Sequence, residues 1–582
     1  MIESEKINLI VAVAVVFALV ISVAFVVVGR RQDANSNRKT EPEYATKIFG
    51  HDLCSIDISV DEADWQEMLD NAISEQYIMA DVVVNGKKIQ NVGIRPKGNS
   101  SLTQVASSNS DRYSFRLQFD EYIKGQTCFG LESMVLNNML GDNTYMKEYV
   151  SYGLMREIGV DAPYFSYAEI KVNGESWGLY LAVELYNDSY EQRVFGDTSG
   201  MLYNVKSMDM GGSADGNPPP SGGNAGLGFN PPPNTGGAPF PAQKKDGIGG
   251  PDRGFDGQEG RGSAGGSLEY IDENIKSYSS IFNNVVGKGT ERDFQRVVRA
   301  LKALSAEEDL ETYFDVDQII RYLAAHTIVV NLDSYSSHMA QNYYLYERDG
   351  QLTILPWDYN LAWGGFQSGN ASAVINFPID TPVSGVELSS RPLIKKLFAN
   401  AGYFERYHRY LQQLIDDYFA HGRFEEKIKT LDALISDYVK NDATAFCTFD
   451  EYKTAVSAFI TLGNLRAQSV QGQLDGTVPA TTTEQRNNAD RLILAGDVKL
   501  SDLGSMMGGR GGSNSPFFPG REDQDKNLFP GGMNNGVEAE VNRFPVQAPT
   551  DQSLRSNLMT IGLLTLVLIA ALFFVARFKR TY

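Results

Sequence analysis

Two stretches rich in glycine and proline set the strongest limit on how this chain can fold. Residues 211–266 are close to half Gly plus Pro, and residues 504–536 have a similar composition. Neither stretch carries enough apolar surface to offset the entropy of ordering the chain, so we expect both to be mobile. The globular mass is therefore predicted in residues 45–210 and 267–500, with 211–266 as a surface insertion and 501–557 as a linker.

The part before the insertion has the patterns of strands and tight turns. Residues 77–84 and 87–94 are rich in β-branched side chains and flank Asn85-Gly86, which is typical of a β-hairpin. A second Asn-Gly pair, Asn173-Gly174, joins residues 168–172 to 178–184 in the same way. Residues 114–119 alternate polar and apolar side chains and predict a half-buried strand.

Helical spacing appears in residues 142–158 and becomes dominant after the insertion. Residues 292–304, 316–331 and 391–419 predict helices, the last of them as one helix or two. One further hairpin is predicted around Asp349-Gly350. We therefore expect an α+β fold, in which a strand-rich lobe (45–210) precedes a helical lobe (267–500) and a crevice lies between them.

Composition excludes three classes of protein. The chain has 72 Asp and Glu against 52 Lys and Arg, a formal charge of -20, whereas nucleic-acid binding needs a dense cationic face. Its three cysteines, Cys54, Cys128 and Cys447, form no CxxC pair, which excludes a zinc ribbon and a disulfide-stapled miniprotein. One disulfide remains compatible with the sequence, which does not indicate its pairing.

Two apolar runs lie near the ends of the chain. Residues 8–28 are uncharged and long enough to span about 30 Å of hydrocarbon, which favours an uncleaved anchor over a signal peptide. Residues 558–576 form the second run, and the Arg577, Lys579 and Arg580 that follow it are expected to stay cytoplasmic. The resulting expectation is a multi-pass protein of the cell membrane, in contact with lipid through two spans, with its globular part extracytoplasmic.

Three polar side chains in residues 331–360 are candidates for a metal and phosphate site. Asp333 follows an apolar helix, Asn342 precedes a strand, and Asp358 follows the returning strand of the hairpin. A hairpin brings its strand ends together, so these groups can converge. Carboxylate and amide oxygens suit Mg²⁺ or Mn²⁺. Phosphoryl transfer uses one Asp as the proton acceptor and an Asp and an Asn as metal ligands.

Several long phrases of the chain resemble the CotH family of spore-coat and secreted proteins, an atypical branch of the protein-kinase-like fold. They include NVGIRPKGNSS, SFRLQFDEY, LNNMLGDNTYMKEYVSYGLMREIGV, VNGESWGLYLAVE and LPWDYN, and they occur in the family's order over most of residues 45–475. The resemblance implies a bilobal kinase-like fold and ATP-dependent phosphorylation of Ser or Thr in secreted, coat or envelope proteins. It also implies that Asp333 is the catalytic base, Asp358 the metal-holding Asp and Asn342 the second metal ligand.

The nucleotide-binding residues are expected in the strand-rich lobe. A kinase-like site needs a cation on the phosphates, steadied by a carboxylate on a helix. Lys97 and Arg116 are the candidate cations, and Glu148 is the candidate partner. The family commonly has a lysine in the strand that contains Arg116, so the arginine there makes Lys97 the preferred phosphate ligand. Glu184 either lines the nucleotide pocket or makes a structural pair.

The sequence thus predicts an ATP- and Mg²⁺- or Mn²⁺-dependent protein kinase that acts on Ser or Thr of a protein substrate. Two alternatives remain open at this point. The same fold can serve as a non-catalytic surface scaffold or adhesin, or it can transfer a nucleotidyl group in place of a phosphoryl group.

Overall fold

The computed structural model describes residues 41–51, 53–206, 264–504 and 506. Almost all of the predicted insertion and linker falls outside these ranges. The strands are β1 Leu53–Ser59, β2 Ile78–Val84, β3 Lys87–Lys97, β4 Ser114–Gln118, β5 Ser133–Asn137, β6 Phe165–Val172, β7 Glu175–Glu184, β8 Met201–Val205, β9 Tyr343–Arg348 and β10 Gln351–Pro356.

Helices occur on both sides of the insertion. Before it they are α1 Glu43–Lys47, α2 Glu62–Asp70, α3 Ser100–Ala106, α4 Lys147–Glu157 and α5 Asp188–Val194. After it they are α6 Ser279–Phe282, α7 Glu291–Ala306, α8 Leu310–Tyr313, α9 Val316–Val329, α10 Ala371–Ile375, α11 Pro392–Ala399, α12 Ala401–Leu414, α13 Arg423–Lys440, α14 Phe449–Leu474 and α15 Thr482–Asn487. The α+β class is confirmed.

Strands β1 to β7 form a closed barrel in the order β1-β2-β3-β4-β5-β7-β6. Antiparallel pairs make up the barrel except at its closure, where β1 and β6 run parallel. The period-two pattern of β4 places Phe115 and Leu117 in the barrel core, fully buried, and leaves Arg116 half-buried on the other face. Closure removes the exposed sheet edges and fills the interior with apolar side chains.

Both predicted Asn-Gly hairpins are confirmed. Asn85 and Gly86 join β2 to β3, and Asn173 and Gly174 join β6 to β7. All four residues have positive φ, from 45° to 83°. Asn and Gly tolerate this conformation, and a turn with two such residues matches the twist of the flanking strands.

Helix α4 is buried among the helices and the barrel. Met146, Val150 and Ile158 of the predicted apolar face are all buried. The helix begins at Lys147, later than predicted, because Asp142 first stabilises a turn. One Asp142 oxygen accepts from the N–H of Thr144 at 2.9 Å, and the other accepts from the N–H of Lys147 at 2.8 Å.

The part after the insertion is mainly helical and contains a three-stranded sheet in the order β10-β9-β8. Strand β8 precedes the insertion, yet it pairs with β9, with Tyr203 opposite Leu345. The chain on the two sides of the insertion is therefore joined in one sheet. The predicted helix at 391–419 is two α-helices, α11 and α12, followed by a π-helical turn at Ile415–Phe419.

The expectation of a multi-pass membrane protein is corrected by this structure. Among the described residues, no helix is both long enough and apolar enough to cross a bilayer. The multi-pass arrangement and the lipid contact through two spans are therefore not supported. The apolar runs at 8–28 and 558–576 lie outside the described residues.

Candidate active site

A cleft of about 270 Å³ lies between the barrel and the sheet β10-β9-β8. Its lining comes from β3, the turn into α3, β4, β5, β8 and the segments on both sides of the β9–β10 hairpin. Five of the residues predicted from the sequence line this one cleft: Lys97, Arg116, Asp333, Asn342 and Asp358. The hairpin and the barrel thus bring together groups that are distant in sequence.

Asp333 and Asn342 are in direct contact. The Asn342 Nδ2 donates to Asp333 Oδ2 at 2.9 Å and to the Asp333 carbonyl at 2.8 Å. Gln341 Nε2 donates to the other carboxylate oxygen at 3.0 Å. Because both amides donate to Asp333, its carboxylate is held in one orientation, and the Oδ1 of Asn342 is left as that side chain's acceptor.

Asn331 connects the two aspartates through their backbones. Its Oδ1 accepts from the N–H of Asp333, and its Nδ2 donates to the carbonyl of Asp358, each at 3.1 Å. Asn331 is fully buried. Asp358 itself has a positive φ of 61°, and its N–H donates to the Tyr152 hydroxyl at 3.2 Å. The relative position of the two carboxylates is therefore fixed by buried hydrogen bonds.

A buried histidine makes a second connection between the two segments that carry Asp333 and Asp358. His326 of α9 lies 2.8 Å from the Tyr359 hydroxyl through Nδ1 and 3.0 Å from Ser336 Oγ through Nε2. Burial lowers the pKa of His326 to about 3, so the ring is neutral at physiological pH. Tyr359 is the residue after Asp358, and Ser336 lies three residues after Asp333. The neutral imidazole therefore links the two segments that carry the aspartates.

The electrostatics of Asp333 suit a proton acceptor. Burial and the negative charge of nearby Asp358 raise the pKa of Asp333 to about 7, against the donors from Gln341 and Asn342. A carboxyl group whose pKa is near neutral binds a proton more strongly than an ordinary Asp and can still be ionised at physiological pH. The arrangement provides a base beside a second carboxylate.

A three-residue relay connects the barrel to α4. Lys97 Nζ donates to Asn137 Oδ1 at 3.0 Å, and Asn137 Nδ2 donates to Glu148 Oε2 at 2.8 Å. Glu148 is buried, and among the described residues its Oε1 has no hydrogen-bond partner. Burial and the charge of Asp358 raise the pKa of Glu148 to about 7. The predicted pairing of Lys97 with Glu148 thus occurs through an amide.

Two arginines extend the cationic wall of the cleft. Arg95 on β3 lies directly opposite Arg116 on β4. Arg95 forms an ion pair with Glu75, and Arg116 donates to Gln118 Oε1 at 2.6 Å. Burial and the like charge of Arg116 lower the pKa of Arg95 to about 10. Two like charges placed opposite each other repel, and an anion bound between them would relieve this repulsion.

Glu184 is placed elsewhere. It is fully buried and is not among the residues that line the cleft. Its Oε2 lies 2.6 Å from Arg193 Nη2 and accepts from the N–H of Tyr164, while its Oε1 accepts from the hydroxyl of Tyr44 at 2.7 Å. These contacts favour the structural pairing over a role in the nucleotide pocket.

The donor set fits a hard divalent cation that shares its ligands with a phosphate. Asp358 and Asn342 offer oxygen atoms on the same cleft as the cationic wall. Within the described ranges, no cluster of three His, Cys, Asp or Glu side chains is placed to hold a metal by itself. Mg²⁺ sites of nucleotide enzymes typically use one or two protein carboxylates, with substrate phosphates and water as the other ligands. The residues present are compatible with that type of site.

Three residues of the site, Arg95, Asn137 and Asn331, were not predicted from the sequence. Arg95 lies two residues before Lys97 on a strand, so period-two spacing already places both on one face. Asn331 precedes Asp333 by two residues, a spacing at which an Asn side chain commonly accepts from the backbone. Asn137 gives no such signal, because its partners, Lys97 and Glu148, lie on other elements.

Comparison with known proteins identifies the family. A family model described as CotH kinase protein matches residues 94–470, which is more than half of the chain. The match includes the five predicted residues that line the cleft and Glu148. A search of curated proteins found no match to the chain. The chain belongs to the CotH kinase protein family and is, at the level of that family, a CotH-like kinase.

Proposed function

We propose that this chain is an ATP- and divalent-metal-dependent protein kinase with a bilobal, atypical kinase-like fold. In this proposal it transfers the γ-phosphoryl group of ATP to a Ser or Thr hydroxyl of a protein, including the coat or envelope proteins that the resemblance implies. The observation that carries the proposal is the division of charge in one cleft. Asp333, Asn342 and Asp358 come from the segments around the β9–β10 hairpin, and Arg95, Lys97 and Arg116 come from the barrel strands β3 and β4.

Each of these two groups of residues has a task in phosphoryl transfer. Lys97 and the two arginines bind the phosphates, and Glu148 keeps Lys97 oriented through Asn137. Asp333 orients the acceptor hydroxyl and takes its proton as the new O–P bond forms. Asp358 and Asn342 would hold Mg²⁺ or Mn²⁺, which would neutralise negative charge on the phosphates. The bond from the γ-phosphorus to its bridging oxygen breaks, and ADP leaves.

The proposal is tested by label transfer from [γ-³²P]ATP to β-casein with Mg²⁺ or Mn²⁺, using the full chain. We expect Asp333→Asn to lose about 10²- to 10⁴-fold in rate, the range for removal of a general base. Asp358→Asn is expected to lose at least about 10²-fold, because the metal loses its carboxylate.

Asp349→Asn is the matched control. Asp349 is exposed in the β9–β10 turn, so this variant removes the same charge from the same hairpin outside the cleft. It should retain the wild-type rate. Wild-type rates in both cleft variants would rule out the mechanism, and an increase in acceptor mass by a nucleotidyl group would replace phosphoryl transfer with nucleotidyl transfer.

A further inference from the structure

A segment beyond the family match reaches the same cleft. The match ends at residue 470, whereas residues 500–504 and Met506, here named the tail segment, pack against the start of α4 and the cleft wall. Leu503 is almost completely buried, and its carbonyl accepts from the N–H of Asn143 at 3.1 Å. The tail segment is therefore a packed part of the folded unit.

A buried ammonium group forms a hydrogen bond between α4 and the tail segment. Lys147, the first residue of α4, is fully buried, and its Nζ donates to the carbonyls of Gly141 at 3.0 Å and Gly504 at 3.2 Å. Burial lowers the pKa of Lys147, and Asp142 opposes this effect. A buried charge without acceptors is costly, so the carbonyl from Gly504 stabilises this position of the first helical turn.

Gly504 has no room for a side chain. Its φ is +81°, and a Cβ there would lie 2.8 Å from the Asn143 nitrogen and 2.9 Å from the Gly141 oxygen. Both neighbours are backbone atoms, which cannot rotate away. Any larger residue must therefore displace either the tail segment or the turn that leads into α4.

The tail segment also touches the other side of the cleft. Met506 lines the cleft and packs against the barrel core. Leu500 packs close to Gly364, in the loop that follows Asp358. The same few residues thus contact the barrel, α4 and the aspartate-bearing loop.

We propose that the tail segment positions Glu148 for phosphoryl transfer by holding the first turn of α4 through Lys147. Glu148 is the next residue after Lys147, and its contact with Asn137 depends on where that turn lies. Gly504 and Lys147 are therefore positioning residues, which act on the reaction through the relay to Lys97. This inference rests on the proposed kinase function, and it makes the tail segment necessary for full activity.

The test is a double-mutant cycle in the full chain, with kcat/KM for phosphate transfer to β-casein as the readout. Gly504→Ala should lower kcat/KM by about tenfold or more, because small displacements of positioned groups are costly to rate. In a Glu148→Ala background the same substitution should change the remaining rate less than about twofold, because that background has already lost the hydrogen bond from Asn137. A purely structural role would give equal factors in both backgrounds and would overturn the inference.

Two further variants separate the effect from strain and unfolding. Gly496 also has a positive φ, +57°, but no atom lies within 4 Å of a Cβ placed there, so Gly496→Ala should leave kcat/KM unchanged in both backgrounds. Lys147→Met removes the buried charge and its hydrogen bonds to the carbonyls of Gly141 and Gly504. The methionine fills the same space with an apolar side chain. This variant should lower kcat/KM with a Tm near that of wild type, and an unchanged rate would contradict the inference even if Gly504→Ala did not fold.

The outcome also distinguishes this inference from the function on which it rests. A wild-type chain that transfers no phosphate contradicts both. A wild-type chain that transfers phosphate and is indifferent to Gly504→Ala and Lys147→Met contradicts only the role of the tail segment.

Discussion

Glu148 is a carboxylate in a place where ionisation is costly. It is buried beside the negative charge of Asp358, and these two causes raise its pKa to about 7. The cost of ionisation is offset in part by a hydrogen bond that Asn137 Nδ2 donates to Glu148. The Oδ1 of the same amide accepts from Lys97. Such a group is tolerated where its position is needed for function, since perturbed pKa values concentrate at functional sites.

The pH dependence of stability follows from the pKa of Glu148. The folded-state pKa lies above the ordinary value of a Glu, so the folded state is favoured at low pH and loses stability as pH rises to about 7. Glu148→Gln keeps an acceptor for Asn137 and removes this dependence. We expect the free energy of unfolding of the variant to exceed that of wild type by a margin that grows between pH 5 and pH 8, to an upper limit of roughly 3 kcal/mol.

Differential scanning calorimetry at matched ionic strength checks this expectation. A margin that stays constant across that pH range would show that Glu148 is ionised at little cost in the folded state. Such a result would also weaken its assignment as the helical partner of the phosphate-binding cation.

At the scale of elements, the loop after α9 and the loop after β10 act as a pair. Asn331 joins them at 3.1 Å on each side, and His326 makes a second connection through Ser336 and Tyr359. The two aspartates stand on these loops. Their separation is consequently a property of the helix and the hairpin together, and neither loop determines it alone.

Removal of the Asn331 side chain should separate the two loops. We expect Asn331→Ala to lower kcat by about 10²-fold with a smaller effect on KM for ATP, because the cations proposed to bind the phosphates remain in place. Asn370→Ala is the matched control. Asn370 caps α10 outside the cleft through a 3.0 Å bond to Ala373, so its loss should cost about 1 kcal/mol of stability and leave kcat unchanged. Equal kcat values for wild type and Asn331→Ala would contradict the pairing of the loops.

The sequence predicts elements well where their signals are local. The Asn-Gly turns select the hairpins β2–β3 and β6–β7, and helical spacing finds α7, α9 and the buried face of α4. The parallel closure of the barrel and the pairing of β8 with β9 across the insertion depend on contacts between distant residues, which no local pattern encodes. Helix α4 begins later than predicted because the Asp142 side chain stabilises a turn before it, which is a local cause.

The site residues also divide into those with local sequence signals and those that depend on contacts between distant elements. Asp333, Asn342 and Asp358 lie on one hairpin and its flanks, and their convergence on the cleft could be inferred from turn geometry. Glu148 was expected as the partner of the phosphate-binding cation, and its connection to Lys97 passes through the amide of Asn137, the last residue of β5. That detail depends on the barrel order and could not be read from spacing.

At the scale of the whole molecule, one buried ion pair joins the barrel to the helices. Arg112 and Asp442 lie 2.7 Å apart and are 0% and 1% exposed. Arg112 also donates to the Asn138 carbonyl and to Thr444 Oγ1. Gly178 leaves the space that the guanidinium occupies, since a Cβ there would collide with it. This pair contributes to the relative position of the two walls of the cleft.

Loss of one partner should be costly in a way that surface pairs are not. Arg112→Ala leaves Asp442 buried without its cation, and we expect a loss of about 3–5 kcal/mol in the free energy of unfolding. Arg348→Ala is the comparison, because Arg348 and Asp197 are 39% and 43% exposed, and its effect should stay within about 1 kcal/mol. Urea denaturation measures both, and equal values for the two variants would contradict the assigned role of Arg112.

The proposed kinase function requires that Asp333, Asn342 and Asp358 bind a metal-bound nucleotide together with Lys97 and the two arginines that line the same cleft. The most direct measurement is isothermal titration of ATP into the full chain, with and without Mn²⁺, for wild type and for Asp358→Asn. We expect wild type to bind ATP only when Mn²⁺ is present, and we expect Asp358→Asn to lose either this requirement or binding itself. Equal affinities with and without Mn²⁺ in wild type, or unchanged Mn²⁺-dependent binding in Asp358→Asn, would contradict it.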